Sequence, residues 1–393
     1  MTELRAAIEH AHAQAQRALR GDADADLTGS QLAWAKTALA DAPLADALTA
    51  TTGVQGSKSG AIAGFGKFEE FDPGWLETLA EVLEHLLVKP PEFGVDPRVV
   101  PIPARCSLGV AGDWATGYWA GANTPAARVA RLVANEDYAI HLGDTYYAGT
   151  RAQVADHLAA KWPAGKRGCF AIPGNHEMYT KGWPLRDALA SRCPLQGGAT
   201  FFALQSDAWL VLALDTAYFA PGMYLDGTLG PTSYRRGWLR RARANEQRVF
   251  ANELLAKRGA RRTMLFTHHP PYDLGGPSAR QRGLRAEVLA LFGAHGLPRG
   301  PDYWAWGHIH AVAAYTDEPG AFRGRLVGHG GIPFARAETL ASSPSVAFYE
   351  SESAGEPDSP RVLNGYLRLE LDGARVRESL IGENGTLRWQ SEL

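Results

Sequence analysis

Residues 172–179 read IPGNHEMY, a short apolar run that stops at Gly174, Asn175, His176 and Glu177. An amide, an imidazole and a carboxylate in succession are poor packing choices at the end of a buried strand, because each needs a partner. The same texture recurs along the chain, in SLGVAGDW at 107–114, YAIHLGDTYY at 138–147, TMLFTHHPPY at 263–272 and YWAWGHIH at 303–310. Between the early runs lie TPAARVARLVAN at 124–135 and RAQVADHLAAKW at 151–162, whose composition suits helices. Strand, helix, strand in that order predicts an α/β fold, and such folds bind ligands at the carboxyl ends of their strands.

The flanks read differently. Residues 1–95 have a helical character: alanine is abundant at the start, and GWLETLAEVLEHLLVK repeats apolar residues at Leu76, Leu79, Val82, Leu83, Leu86 and Leu87. KPPEFGVDPRVVPIP at 89–103 breaks that pattern and predicts a linker or boundary. Further on, ATFFALQSDAWLVLALDTAYF predicts two strands around a turn at Ser206 and Asp207. SYRRGWLRRARANEQRVFANELLAKRG predicts a long helix closed by Gly259, with Trp238, Val249 and Leu254 as its apolar stripe. Alternation around DG and NG near the end predicts antiparallel hairpins. The expected division is therefore a helical region at 1–95 and a domain at 96–393, with its motifs within 105–335 and hairpins at 360–393.

Composition narrows the function. Forty Lys plus Arg stand against 42 Asp plus Glu, so no net field points to nucleic acid or an acidic membrane. No apolar stretch approaches the roughly 20 residues of a membrane helix, and the start lacks the layout of a secretory signal. A cytoplasmic protein is the expectation. The three cysteines, Cys106, Cys169 and Cys193, have no zinc or disulfide spacing and read as buried thiols.

Each polar cluster alone has a bland reading: Asp113 or Asp144 as a helix cap, Asn175 as a turn residue, the histidines as core residues. Together they do not. Asp, Asn, His and Tyr at successive strand ends are the oxygen and imidazole donors that hold divalent or trivalent first-row metals. Buried carboxylates gathered at one mouth repel unless a cation joins them. An amide such as Asn175 offers an oxygen without adding charge.

The ordered set GD at 112–113, GDTYY at 143–147, GNHE at 174–177, HHP at 268–270 and GHIH at 307–310 resembles the calcineurin-like metallophosphoesterase superfamily. That resemblance covers about residues 105–335 and implies a four-layer α/β/β/α sandwich, here with the N-terminal helical extension. The superfamily's first motif carries a histidine two residues after the aspartate, where this chain has Ala115. Tyr147, three residues after Asp144, gives instead the spacing of the purple acid phosphatase branch, whose tyrosinate ligand favours ferric iron. That branch usually has glycine at the position of Ala115, a departure in this chain.

By this resemblance Asp113, Asp144, Tyr147 and His310 hold one metal, with Asp144 bridging, and Asn175, His268 and His308 complete the other. The pair implied is Fe(III) with divalent Fe, Zn or Mn, or alternatively two divalent ions. His176 contacts the phosphoryl group and protonates the leaving oxygen, while Glu177 orients His176 or a neighbouring ligand. His269, Tyr272 and His329 are candidates for the substrate pocket. Among the remaining aromatics and histidines, Trp114 and His141 read as core and His295 as a helix-end residue. The implied reaction is hydrolysis of a small phosphate ester by a metal-bound hydroxide, with monoesters and diesters both open. Alternatives are a phosphodiesterase acting on nucleotides or phospholipid head groups, and a non-catalytic, metal-stabilised interaction module.

Overall fold

The computed structural model describes residues 97–114, 124–145, 148–218, 237, 239, 245–316, 322–332, 334, 336–355 and 361–393. The helices expected within 1–95 lie outside these residues, as do Ala115, Tyr147 and Trp238. In chain order the first strands are β1 (Val99–Pro101), β2 (Arg105–Ala111), β3 (Tyr138–His141), β4 (Gly168–Ala171), β5 (Phe202–Gln205), β6 (Trp209–Ala213) and β7 (Arg262–Thr267). Then follow β8 (Tyr303–Trp306), β9 (Val312–Tyr315), β10 (Arg323–Val327), β11 (Val346–Tyr349), β12 (Gly365–Asp372), β13 (Arg375–Gly382) and β14 (Leu387–Glu392). The longer helices are α1 (Pro125–Val133), α2 (Trp183–Arg192), α3 (Asn245–Ala256) and α4 (Gly283–Gly293).

Two sheets result, one ordered β1-β5-β6-β7-β8-β10-β9-β11 and the other β14-β13-β12-β2-β3-β4. Within them β2, β3 and β4 are mutually parallel, as are β6, β7 and β8, so the motif-bearing ends of each set point one way. These strands are buried on both faces, which explains their near-continuous apolar sequences. The period of two sorts their side chains. Tyr138, Ile140 and Phe170 enter a core shared with the larger sheet, whereas Ala139, Cys169 and Ala171 face a second core with α1 and α2. Phe170 stacks on Phe202 across the sheets at 4.6 Å between ring centroids. Leu284, Val288, Leu291 and Phe292 of α4 and Ala251 and Leu255 of α3 cover the larger sheet. Helices, sheet, sheet, helices is the four-layer α/β/β/α arrangement.

Local chemistry sets the ends of α1. Thr124 accepts from the Ala127 N–H at 3.1 Å, Pro125 opens the first turn, and Ala126, Val129, Ala130 and Val133 form the buried stripe. The hairpins fall where the sequence places them: β5 pairs antiparallel with β6, and β12 with β13 around Asp372 and Gly373. Two expectations are corrected. The proline-rich stretch is not solely a linker, because Val99–Pro101 pairs with β5 as the outermost strand, a place where proline's missing N–H is tolerated. In α3 the inward positions are Gln247, Ala251 and Leu255, four apart, while Val249 is 51% exposed. The polar Gln247 disguised that stripe.

One ion pair crosses the interior. Glu378 of β13 receives Arg325 of β10 through Nε at 2.8 Å and Nη2 at 2.6 Å, and the Tyr303 hydroxyl donates to it at 2.9 Å. Both charges are almost fully buried, so removing one strands the other. Glu378→Ala should therefore cost about 3–5 kcal/mol in denaturant unfolding. Pairing Glu378→Leu with Arg325→Met should recover most of that loss; a single variant as stable as the parent would contradict the assignment.

Candidate metal centre

Three strand ends turn sharply into the cleft. Asp113 after β2, Asp144 after β3 and His308 after β8 have φ of 55°, 68° and 69°, a left-handed backbone that a Cβ atom disfavours. Lys181 is the sole other non-glycine residue with positive φ among the described residues. Each such residue costs on the order of 1 kcal/mol and persists where surrounding bonds impose it. Here they do: the Asp113 N–H donates to the Gly143 carbonyl at 3.0 Å, and the His308 N–H donates to Asp113 Oδ2 at 2.7 Å. Gly174 is required for another reason, since a Cβ there would collide with Asp144 Oδ1.

The side chains then converge. His268 Nε2 lies 3.2 Å from Asp144 Oδ2, 3.1 Å from Asn175 Oδ1 and 3.3 Å from His308 Nδ1. His308 Nδ1 is 2.8 Å from the same amide oxygen. His310 Nε2 stands 3.4 Å from Asp113 Oδ1. Ligand atoms of Asp113, Asp144 and His268 all fall within 4.8 Å of one another, and those three residues are buried. The structure thus gathers Asp113, Asp144, Asn175, His268, His308 and His310 from strands far apart in sequence.

Orientation shows what such a cluster suits. The Asn175 amide donates Nδ2–H to the Tyr179 hydroxyl at 2.9 Å, which turns Oδ1 inward. His268 Nδ1 meets the Leu142 carbonyl at 2.8 Å, an acceptor only, so Nδ1 carries hydrogen and Nε2 presents a lone pair in the neutral ring. A carboxylate oxygen, an amide oxygen and an imidazole lone pair facing one point repel one another unless a cation sits among them. Their spacing of about 3 Å is what neighbouring vertices around an ion with bonds of about 2.1 Å require. The donor set therefore fits a metal.

Protonation points the same way. Burial alone would lower the His268 pKa, yet Asp144 above all, with Asp113 and Glu177, raises it to about 9. Burial would raise the Asp144 carboxyl, but the His268 and His176 rings hold it well below the usual carboxylate range. A proton on His268 answers in part the demand for positive charge that a metal would meet in full.

Glu177 has a different task from its neighbours. Its carboxylate accepts N–H bonds from Gly174 at 2.6 Å, Asp144 at 3.0 Å and Thr145, tying the turn after β4 to the turn after β3. It positions the Asp144 backbone rather than the His176 ring. Burial first, and then Asp144, raises its pKa. The His176 N–H donates to Asp144 Oδ1 at 2.9 Å, and its ring Nε2 lies 3.8 Å from Asp144 Oδ2, edge-on to Tyr179.

The pocket candidates separate. A ring nitrogen of His269 lies within 4.8 Å of those of His268 and His308, placing His269 beside the cluster. Tyr272 packs in an aromatic core with Trp306, Tyr315 and Phe322. His329 is buried against Phe334, and burial pushes its pKa down to about 3. Its carbonyl accepts from Gly365 N–H and Asn364 Nδ2 at 3.0 Å each, anchoring the glycine-rich turn to β12. His141 and Trp114 are core residues, meeting edge-on at 6.2 Å.

Sequence reasoning did not single out Tyr179, which orients Asn175 from four positions away, nor Thr216. Thr216 Oγ1 accepts the His269 backbone N–H at 3.3 Å and lies 2.8 Å from its Nδ1. That hydroxyl can either donate to Nδ1 or accept from it, so the contact fixes where the ring lies. The lone pair that faces the donor cluster comes from His268. Nothing in the local sequence around HHP announces Thr216, which comes from the end of β6.

The fold and this cluster define a metal-dependent phosphoester hydrolase. The chain belongs to the calcineurin-like phosphoesterase family, whose model matches residues 107–312. Enzymes of this family are metallophosphoesterases working with a dinuclear metal site. Solved structures similar to this chain include PhoD, at 14% identity over 74% of this chain and 70% of the other, with a TM-score of 0.48. A dimetal phosphatase from Danio rerio is similar at 17% identity over 73% and 97%, with a TM-score of 0.45. GAP50, the anchor in the inner membrane complex of Plasmodium, is similar at 11% over 74% and 88%, with a TM-score of 0.49. Comparison with curated proteins gave no match. No helix among the described residues is long and apolar enough to cross a membrane.

The His268 tautomer is checked in metal-free protein at a pH above its raised pKa of about 9, where the ring is neutral. Long-range proton–nitrogen correlation spectra should then show hydrogen on Nδ1 and a bare Nε2. Hydrogen on Nε2 in the parent protein would contradict it.

Proposed function

We propose that the centre holds two metal ions and hydrolyses small phosphate esters in the manner of the purple acid phosphatase branch. The observation that carries this reading is the convergence of Asp144 Oδ2, Asn175 Oδ1, His268 Nε2 and His308 Nδ1 on one point, with Asp113 alongside. In this reading Asn175, His268 and His308 hold one ion, Asp113 and His310 hold the other, and Asp144 bridges. Tyr147, which lies outside the described residues, completes the second set as a tyrosinate. That ligand favours Fe(III) with divalent Fe, Zn or Mn as partner; two divalent ions are the alternative pair. When bound, the metals supply a water acidified toward neutrality and positive charge facing the phosphoryl oxygens.

The chain's own residues do the remainder. His176 stands at the rim of the donor cluster, its backbone fixed by Asp144, and donates a hydrogen bond to the phosphoryl group or a proton to the departing oxygen. Glu177 keeps the two turns at fixed separation, so that Asp144 and His176 face the same ester. His269 places a further imidazole beside the cluster. The substrate is a small phosphate ester, and residues 96–393 form the catalytic unit; an ester of a nucleotide or a phospholipid head group is the second reading.

Metal-loaded protein should hydrolyse an aryl phosphate, and Asn175→Ala and His308→Ala should each lower kcat/KM by roughly 100-fold or more. Undiminished turnover in both would remove the proposal. Iron-loaded, oxidised protein should show a visible charge-transfer band that Tyr147→Phe eliminates. A band surviving that substitution, or colourless iron-loaded protein, rejects the tyrosinate while leaving the dinuclear reading intact.

A further inference from the structure

We infer that Cys169 and Cys193 are a disulfide-forming pair, a covalent modification site that closes a loop around Asn175, His176 and Glu177. Cys169 lies on β4, whose next residues lead into the metal-site turn, and Cys193 follows the last turn of α2. Their sulfurs face each other at 3.0 Å, 24 positions apart in sequence, and both residues are buried. The Cys169 thiol also reaches the Arg192 carbonyl at 3.1 Å. Since a disulfide spans about 2.05 Å, the sulfurs need to approach by only about 1 Å.

The surroundings hold the two elements together independently of the sulfurs. Ala171 N–H donates to Gln196 Oε1 at 2.9 Å, and Gln196 Nε2 donates to the Ala171 and Ala199 carbonyls at 2.7 and 2.6 Å. That bracket fixes the segment after α2 against β4, so cross-linking asks little of the backbone. Two small side chains filling the core beside Leu189 and Trp162 would account for burial alone. Core filling does not require that the sulfurs meet each other rather than carbon.

The step balances with a small-molecule disulfide, such as oxidised glutathione, as oxidant. The Cys169 thiolate attacks one glutathione sulfur, forming a mixed disulfide and releasing a glutathione thiolate. The Cys193 thiolate then attacks the Cys169 sulfur and releases the second glutathione. Both cysteine protons end on the released thiols, two thiols being oxidised and one disulfide reduced. Cys106 sits in β2 and takes no part. The closed loop confines the unfolded chain around the site residues and so favours the folded arrangement.

To bypass burial, full-length protein is unfolded in denaturant and refolded by dilution into oxidised and reduced glutathione. Remaining thiols are alkylated and mapped by mass. The expected result is alkylation at Cys106 alone, with a Cys169–Cys193 cross-linked peptide and a Tm raised by roughly 5 °C over the reduced protein. Cys106→Ser should retain the bond and the shift, whereas Cys193→Ser should leave Cys169 alkylated and remove the shift. Alkylation at all three cysteines, or a bond that includes Cys106, overturns the inference.

Discussion

Two carboxylates buried within a few ångströms of each other are the constraint around which this molecule is arranged. Charges placed so close in a dry cleft repel each other unless positive charge stands beside them. The chain meets that demand with imidazoles from three other strand ends and turns an amide oxygen toward the same point. Backbone conformation bends to it as well: the left-handed residues cluster at the strand ends that carry the donors, and nothing larger than Gly174 fits beside Asp144. Such strain is tolerated only where a rigid frame imposes it. The two sheets, joined by the buried Arg325–Glu378 pair and the Phe170–Phe202 stack, provide that frame.

Several features share the work of holding lone pairs in place. Leu142 fixes the His268 tautomer, Tyr179 fixes the Asn175 amide, and Glu177 fixes the two turns by accepting backbone N–H groups. None of these touches the point where an ion would sit. Their effect is to remove alternatives, so that the cluster is assembled before any ligand arrives. Preorganisation of this kind is what lets a charged centre act without rearranging during reaction.

Much of this was legible in the sequence because apolar runs that repeatedly end in Asp, Asn or His make little sense as packing alone. The parallel strands, the hairpins around DG and NG, and the convergence of donors from GD, GNHE, HHP and GHIH all follow from that pattern. Other features were hidden by chemistry that carries no local signal. Gln247 occupies an inward helical position yet is polar, because it brackets the Asp215 backbone through its amide. Val99–Pro101 reads as a linker, although an outermost strand tolerates proline. Tyr272 follows His268 closely in sequence, and its ring packs with Trp306, Tyr315 and Phe322 in a way the local sequence does not announce.

The central claim is that donors from separate strands share two cations. Anomalous diffraction from crystals grown with manganese tests it most directly. The account predicts two peaks per chain, one bonded to Asn175, His268 and His308 and one to Asp113 and His310, with Asp144 between them. A single peak, or peaks bound away from these side chains, would contradict it.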